Sequence, residues 1–306
     1  MRNDSVNSYK KFSPFFDLEN KTAYERWRDR KLNGYPVKIQ SLLVNISDFQ
    51  NPSNYEVNAM KEGINKTNMI FYKCNHGVGV DVGETKEALN YLGLLMGLKT
   101  RDDNLCSDED SFSILSATVD AQKKRYIPYT NKSINWHTDG YYNPEDKKIL
   151  GMGLHCISPA AIGGENALID PEIVYILMRE ENPDFIRALM HPQAMEIPAN
   201  TNADTDIRPV QSGPVFSLCG NGATLHMRYT ARTRSIRWRQ DEITKGAISF
   251  LHSILNNYNP YIFRRRMVAG EGVLCNNVLH NRTEFKDDES QQRCFLRSRY
   301  FDRIIK

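Results

Sequence analysis

From Phe112 onward the chain alternates short apolar runs with glycine, proline and asparagine. This pattern limits the possible folds more than any other feature of the sequence. Apolar runs of this length, bounded by residues that favour turns, are typical of β-strands. We predict strands at residues 149–158, 165–169, 194–197, 214–218, 224–229, 262–268, 272–275 and 294–301. We therefore expect a mainly β core in this part of the chain.

Helices are predicted within and before this β region. Asp170 followed by Pro171 supplies an N-cap and a proline at the first helical position, which predicts a helical insertion at about 170–190. Apolar residues on one face predict a second insertion at about 241–257. Further upstream, 20–33 and 84–98 are predicted helices and 37–46 a predicted strand.

Together these patterns predict a single domain over 1–306, of the class mainly β with flanking α. An N-terminal helical and β buttress over 1–111 is expected to support a double-stranded β-helix, or jelly roll, over 112–306.

The composition excludes several broad classes of protein. With 40 Lys+Arg against 37 Asp+Glu, the net charge of +3 is too small to require a nucleic acid or a membrane as partner. Neither a secretory signal nor a membrane-spanning stretch is predicted. The six cysteines form no C-x-x-C pair, which argues against a zinc finger and a disulfide framework. We therefore expect a cytoplasmic protein.

His137 and Asp139 form the first candidate site, within the stretch 134–142. Its neighbours are typical of a strand, where residues two apart point to the same face. An imidazole nitrogen and a carboxylate oxygen would then lie side by side, as two adjacent corners of a metal coordination sphere. The pair alone is weak support, because a chain with seven histidines often contains this spacing by chance.

His280 is the candidate third ligand, because it follows a glycine turn and the short apolar strand 272–275. Two imidazoles and one carboxylate, with three positions open, form the facial arrangement of non-haem iron(II) oxygenases. A 2-oxo acid fills two of those positions and O2 the third. Arg293 and Arg297 lie four apart on a predicted strand, so both side chains can enter one cavity, where a guanidinium matches a carboxylate.

These motifs resemble the Fe(II)/2-oxoglutarate-dependent dioxygenases of the taurine dioxygenase and gamma-butyrobetaine hydroxylase superfamily. The resemblance covers residues 112–303 and rests on Trp136-His137-Thr138-Asp139-Gly140, on Gly163-Gly164-Glu165, and on Asn277-Val278-Leu279-His280-Asn281-Arg282 followed by Arg293 and Arg297.

The resemblance implies a role for each residue of the site. His137, Asp139 and His280 look like the catalytic iron(II) ligands. Arg293 looks like the partner of the distal carboxylate of 2-oxoglutarate, and Arg297 resembles the position that meets an anionic group of the primary substrate. Trp136 and Tyr141, with Tyr142, are expected to form walls near the iron and to contact the substrate.

Three positions bear on how closely the chain follows this pattern. Asn166 stands where many relatives have a threonine that helps to hold 2-oxoglutarate, and its amide can still donate a hydrogen bond. Asn276-Asn277 replaces the Asp-Asn dipeptide often found before the distal histidine. Related halogenases leave the carboxylate position empty for chloride, whereas here Asp139 fills it, so halogenation is disfavoured.

The resemblance implies a 2-oxoglutarate-dependent non-haem iron dioxygenase that uses O2 and releases succinate and CO2. We expect it to hydroxylate, desaturate or cyclise a small amino-acid-like or other anionic metabolite. Two alternatives stay open: a catalytically idle metal-binding sensor barrel, and a nucleic-acid demethylase, which only the arginine-rich stretch 226–239 supports. Predicted lid loops at 99–111, 142–148 and 200–211 carry no readable substrate code, and the sequence does not predict the oligomeric state.

Overall fold

The structure is a computed structural model that describes residues 13–76, 79–103, 108, 110–118, 123–202, 205–220, 222–232 and 236–305. The described helices are α1 (Lys21–Leu32), α2 (Asn54–Thr67), α3 (Val82–Leu95), α4 (Pro171–Glu181), α5 (Pro183–Leu189) and α6 (Glu242–Asn256). Short 3-10 helices lie at Ile39–Leu42, Lys123–Arg125, Ile127–Tyr129 and Glu145–Lys147.

The described strands are short, and most follow the predicted β region. They are β1 (Leu43–Asn45), β2 (Met69–Lys73), β3 (Ser113–Leu115), β4 (Ile134–His137), β5 (Gly151–Ser158), β6 (Ile162–Gly163), β7 (Asn166–Ile169), β8 (Met195–Ile197), β9 (Asn200–Asn202), β10 (Thr205–Arg208), β11 (Gln211–Gly213), β12 (Phe216–Cys219), β13 (Thr224–Met227), β14 (Arg237–Trp238), β15 (Phe263–Arg265), β16 (Glu271–Cys275), β17 (Leu279–Arg282), β18 (Phe285–Lys286) and β19 (Cys294–Tyr300).

Two sheets form the core. Their strand orders are β1-β2-β16-β5-β19-β3 and β15-β7-β17-β4, and every neighbouring pair except the parallel pair β1-β2 is antiparallel. Side chains from β3, β5 and β19 of the first sheet and from β4, β7 and β17 of the second line one cavity. The sheets therefore face each other across this cavity, which confirms the prediction of a mainly β jelly-roll core with flanking helices.

The N-terminal helices lie against this core. Trp27 of α1 stacks on Phe15 at 5.3 Å between ring centroids and meets Tyr175 of α4 edge-on at 6.1 Å. Lys31 adds buried ion pairs to Asp170 at 2.7 Å and to Glu172 at 2.6 Å. Helix α1 is thereby fixed to the helices that follow β7. The single domain over 1–306, divided near residue 111, stays a prediction.

The N-terminal part also holds the main departures from the predicted elements. The strand predicted at 37–46 is only β1, preceded by the 3-10 helix Ile39–Leu42. Helix α2 was not predicted, although its capping box is visible in the sequence: Ser53 Oγ accepts from the Glu56 backbone N at 3.3 Å, and Glu56 accepts from the Ser53 backbone N at 2.7 Å. Among the described helices, none is long and apolar enough to cross a membrane.

Candidate metal centre

The second sheet brings together the three residues predicted to hold a metal. His137 ends β4, and His280 lies directly opposite it in the neighbouring strand β17. Their ring centroids are 4.2 Å apart, and His137 Nε2 lies 3.7 Å from Asp139 Oδ1. One potential ligand atom from each residue falls within 4.8 Å of the other two. Within the described part of the chain this is the sole group of three or more His, Cys, Asp or Glu side chains arranged in this way.

Backbone carbonyls orient both imidazoles. His137 Nδ1 lies 2.8 Å from the Asn135 carbonyl, and His280 Nδ1 lies 2.9 Å from the Val278 carbonyl. A carbonyl only accepts, so each Nδ1 must carry the hydrogen and each Nε2 keeps its lone pair. Burial lowers the pKa of His137 to about 3, with His280 adding to the effect, and burial also lowers the pKa of His280. Both rings are therefore neutral at physiological pH, which is the form that binds a metal.

The Asp139 carboxylate is buried and incompletely satisfied. Its Oδ1 accepts from Arg297 Nη1 at 3.4 Å, whereas its Oδ2 has no hydrogen-bond partner. Burial by itself raises the pKa of Asp139, but the charges of Arg297 and Arg299 outweigh it and hold that pKa below the usual range of an aspartate. Burying an ionised carboxylate oxygen without a partner lowers the free energy of unfolding, and a divalent cation bound to that oxygen would remove this penalty.

The backbone around Asp139 fixes where its carboxylate points. Asn277 accepts from the Asp139 backbone N at 2.8 Å and donates to the Asp139 carbonyl at 2.9 Å. Gly140 follows with φ of +67°, and a Cβ there would lie 2.4 Å from Ile149 Cγ1. A side chain at residue 140 is therefore excluded both by the left-handed backbone and by the close approach of Ile149. Two neutral imidazole nitrogens and one carboxylate, with the remaining side open, fit an iron(II) ion.

The cavity beside these ligands contains the two predicted arginines. The cavity is lined by Leu115, Pro128, Ile134, His137, Met152, Leu154, Asn166, His280, Asn281, Arg282, Arg293 and Arg297. Arg293 is 2% exposed, and its Nε and Nη1 have no hydrogen-bond partner. Its guanidinium lies 3.9 Å from the centroid of the Phe295 ring. Burial lowers the pKa of Arg293 to about 10, so it remains charged at neutral pH and calls for an anion inside the cavity.

Asn166, at the start of β7, lines the same cavity. Its Nδ2 donates to the Asn281 carbonyl at 3.2 Å, and its buried Oδ1 has no hydrogen-bond partner. This hydrogen bond uses one of the two amide hydrogens of Asn166. The Gly163-Gly164 turn just before β7 has φ of +75° and +74°. A Cβ on Gly163 would lie 2.3 Å from the Glu284 carbonyl oxygen, which explains why glycine is needed there.

The predicted substrate-side residues separate into two groups. Arg297 joins the metal cluster through Asp139, and the Tyr141 ring meets the His137 ring edge-on at 6.4 Å. Trp136 does not join them: it is 4% exposed, packs in the apolar core and does not line the cavity. A register irregularity interrupts the alternation of β4 between Ile134 and His137, so both of these residues line the cavity, whereas Trp136 packs in the core.

Two residues of the site have no role predicted from the sequence, although both lie in the motif 277–282 that carries the family resemblance. One is Asn277, whose left-handed backbone, with φ of +47°, is a conformation that asparagine adopts more readily than most residues. The other is Arg282, which donates to the carbonyls of Pro128, Thr130 and Lys132 and so anchors the loop before β4 at the cavity. Neither role has a sequence signal beyond the residue type, because the partners are distant along the chain.

The arginine-rich stretch 226–239 is not one continuous charged face. Arg228 is buried and donates to backbone carbonyls, including that of Tyr141 at 2.7 Å. Arg237 pairs with Glu196 at 3.1 Å, and Arg239 pairs with Asp241 at 3.0 Å. Arg232 is exposed, and Arg234 lies outside the described residues. This partition of the arginines does not favour a nucleic-acid strip.

Comparison with known proteins identifies the family of this chain and places its fold among iron oxygenases. The family model described as "Taurine catabolism dioxygenase TauD, TfdA family" matches residues 44–299. The non-heme iron oxygenase OrfP, solved with Fe, succinate and (3S)-hydroxy-L-Arg, aligns with a TM-score of 0.61 at 12% identity, covering 81% of each chain. At this identity the likeness shows the fold.

Two curated proteins, both called uridine-5'-phosphate dioxygenase, are similar in sequence. The one from Amycolatopsis is 27% identical over 171 residues, which is 54% of this chain and 60% of that protein. The one from Streptomyces is 26% identical over 204 residues, which is 63% of this chain and 71% of that protein. This chain thus spans less than two thirds of the length of the first relative and somewhat more of the second.

Proposed function

This chain belongs to the TauD, TfdA family of dioxygenases, and from that premise we propose that it is an Fe(II)- and 2-oxoglutarate-dependent dioxygenase acting on a small anionic molecule. The observation that carries the proposal is the group His137, Asp139 and His280, whose two histidines line the same cavity as Arg293, a buried cation with two unpartnered nitrogens. One part of this arrangement suits a divalent metal and the other suits a carboxylate.

The metal ligands in this proposal are Nε2 of His137, Nε2 of His280 and the carboxylate of Asp139. The hydrogen bonds from both Nδ1 atoms support it, because they leave each Nε2 free. The unpartnered Asp139 Oδ2 supports it as well. Iron(II) held there supplies, with 2-oxoglutarate and O2, oxidation of a substrate C–H bond coupled to decarboxylation of the keto acid to succinate and CO2.

Arg293 and Asn166 are proposed to hold 2-oxoglutarate. The Arg293 guanidinium offers two unused nitrogens in a dry environment, where a charge-assisted bond to the distal carboxylate is strong. The remaining amide hydrogen of Asn166 is proposed to donate to the same cosubstrate. The aromatic ring of Phe295 under Arg293 holds the guanidinium plane in place and helps to exclude water.

Arg297 and Tyr141 are proposed to face the primary substrate. Arg297 lies 3.4 Å from Asp139, so its positive charge is at the metal, where an anionic group must approach. Tyr141 meets His137 edge-on and forms a wall of the same region. Trp136 supports this wall only indirectly, as part of the core beneath β4.

The names of the curated relatives add a second class of candidate substrate. Both are called uridine-5'-phosphate dioxygenase, which adds nucleoside phosphates to the amino-acid-like metabolites expected from the sequence. In either class the molecule is small and carries negative charge. The ion-paired arginines at 237 and 239 give no support to a nucleic-acid demethylase.

A turnover screen tests the proposed function. The full chain, loaded with Fe(II), is supplied with 2-oxoglutarate, O2 and a panel of amino acids, uridine and uridine 5'-monophosphate, and succinate formation is measured. Succinate that depends on one of these substrates is the expected result. Bound iron without succinate across the whole panel would instead identify an idle metal-binding sensor. Arg297→Ala should lower substrate-dependent succinate formation, and full coupled turnover in that variant would remove Arg297 from the proposed site.

A further inference from the structure

A second group of aromatic and positively charged residues lies around Tyr141, whose ring meets the His137 ring edge-on. The rings of Tyr141 and Tyr142 meet edge-on at 5.1 Å, and the Arg208 guanidinium lies 5.9 Å from the centroid of the Tyr142 ring. Arg232 follows Ala231, whose backbone N donates to the Trp136 carbonyl at 2.8 Å, beside His137. We call Tyr141, Tyr142, Arg208 and Arg232 the tyrosine–arginine rim. None of the four lines the cavity that contains Arg293.

Buried arginines fix the two tyrosines of the rim. Arg228 donates to the Tyr141 carbonyl at 2.7 Å and to the Gln211 carbonyl at 2.8 Å, so Tyr141 is tied to β11. Arg299, which is buried and paired with Asp102, donates to the Tyr142 hydroxyl oxygen at 2.8 Å. Because that oxygen accepts from a cation, the Tyr142 hydroxyl hydrogen is left to donate to another group. The rim is thus a preformed surface with hydrogen-bond donors.

The rim carries positive charge that no described carboxylate neutralises. Arg237 and Arg239, which belong to the same arginine-rich stretch as Arg232, are both ion-paired. Neither Arg208 nor Arg232 forms an ion pair with any side chain that the structure describes. Burial lowers the pKa of Arg208, and the positive charge of Arg232 adds to this effect.

This arrangement suits a group with several acceptor oxygens and more than one negative charge. Arginine binds phosphate oxygens in pairs, and a tyrosine hydroxyl adds a directional donor. Arg297 is less suited to a dianion by itself, because it is already 3.4 Å from the Asp139 carboxylate. Arg208 donates from Nη1 to the Pro209 carbonyl at 3.1 Å and from Nη2 to the Pro198 carbonyl at 2.7 Å, which holds its guanidinium in place without neutralising its charge. The combined charge of Arg208 and Arg232 matches a phosphate dianion better than a monocarboxylate.

We propose that the tyrosine–arginine rim is the subsite for a phosphate-class group of the primary substrate, with Arg208 and Arg232 as its cations and Tyr142 as a donor. This inference rests on the proposed function, since it places the phosphate next to the metal site where the substrate reacts. The substrate would then carry a phosphate group. The residues that select it would be separate from Arg293, which is proposed to hold 2-oxoglutarate.

Calorimetric titration of the full chain with inorganic phosphate, uridine 5'-monophosphate and uridine tests the subsite. Titrations are made without metal and, under anaerobic conditions, with Fe(II) and 2-oxoglutarate bound. We expect the phosphate-bearing probes to bind and Arg208→Gln and Arg232→Gln each to weaken them by about tenfold or more. The matched control is Arg237→Gln, an exposed arginine of the same stretch that pairs with Glu196, and it should bind like the parent.

Several results would overturn the subsite. In the first, the parent protein binds neither phosphate-bearing probe. In the second, Arg232→Gln binds these probes with the parent's affinity. In the third, the preference for phosphate-bearing probes is lost only in Arg297→Ala. Arg232 is exposed, so its variant tests the proposal even if Arg208→Gln fails to fold. Failure of the proposed function has a different signature, namely a parent protein that binds neither Fe(II) nor 2-oxoglutarate. Phosphate titration without metal is independent of that outcome.

Discussion

The side chain of Asn277 hydrogen-bonds both backbone polar groups of Asp139, accepting from its N at 2.8 Å and donating to its carbonyl at 2.9 Å. The same Asn277 Nδ2 donates to the Ile149 carbonyl at 2.7 Å. Asn277 lies three residues before His280, so the segment that carries one proposed ligand also holds the backbone of another. The mutual position of Asp139 and His280 therefore depends on one buried amide.

Asn277→Ala should weaken iron(II) binding by roughly tenfold or more, because a residue that orients a ligand is lost. It should also lower the free energy of unfolding by about 2–4 kcal/mol, since buried backbone groups lose their partners. Iron titration and urea denaturation measure the two effects. Asn256→Ala is the control, because Asn256 is exposed and bonds only its own helix among the described residues. Parent-like iron affinity in Asn277→Ala would contradict the positioning role.

Arg293→Met should abolish stabilisation by 2-oxoglutarate without destabilising the protein that lacks this cosubstrate. Arg293 is a buried cation with two unpartnered nitrogens, and replacing an uncompensated buried charge by an apolar side chain is often neutral or stabilising. Thermal unfolding with and without 2-oxoglutarate measures both quantities. If 2-oxoglutarate raises the melting temperature of the variant as much as that of the parent, Arg293 does not hold it.

Asn166→Asp should raise the KM for 2-oxoglutarate by about tenfold or more, and well beyond the effect of Asn166→Ala. Aspartate has nearly the same shape but places a negative charge where the cosubstrate carboxylate is proposed to lie, and like charges in a dry cavity repel strongly. Steady-state succinate formation at varied 2-oxoglutarate gives the KM. Equal KM values for the two variants would show that Asn166 is not in contact with the cosubstrate.

We expect Glu56 to stabilise the start of α2 at neutral pH and to lose this effect in acid. Burial by itself raises the pKa of Glu56, but hydrogen bonds from Ser47 and Ser53 outweigh it and lower that pKa to about 2. Since the folded pKa is depressed, the stabilisation is present above the unfolded pKa and is lost as pH falls from about 4.5 to about 2. At neutral pH it amounts to about 1–2 kcal/mol, because water at the helix start screens part of the charge.

Urea denaturation of the parent and of Glu56→Gln across pH 2–7 checks this contribution. The stability difference between them should be largest near neutral pH and should shrink through the acid range. A difference that stays constant with pH would show that the charge of Glu56 does not stabilise the helix start.

The parts of the site that follow strand periodicity could be predicted from the sequence, and the parts that depend on distant hydrogen bonds could not. The two-residue spacing of His137 and Asp139 and the position of His280 after the predicted strand 272–275 were sufficient to identify three candidate ligands. The structure differs in detail, because Asp139 lies in the turn after β4 and His280 lies within β17. Trp136 packs in the core beside His137, so a contact between Trp136 and the substrate stays a prediction that the burial of this side chain does not favour. Asn277 acts on a residue 138 positions earlier in the chain, and no local pattern reports such a contact.

Helix α2 shows a different reason for a missed element. Its buried apolar residues Val57, Met60 and Ile64 keep helical spacing, and Ser53 and Glu56 form a capping box, so both signals were present in the sequence and were not used. The strand predicted at 37–46 was shortened because its first half forms a 3-10 helix that leads into β1. The apolar residues of this segment indicated that it is partly buried, but a short apolar run does not distinguish a 3-10 helix from an extended strand.

Iron(II) binding by His137, Asp139 and His280 is tested most directly by anaerobic iron titration of His137→Ala, Asp139→Ala and His280→Ala. The matched control is His252→Ala, which removes an exposed histidine of α6. One iron(II) per chain in the parent and in the control, with binding lost or strongly weakened in all three variants, is the predicted result. Unchanged iron affinity in His137→Ala and Asp139→Ala would contradict the proposed metal site.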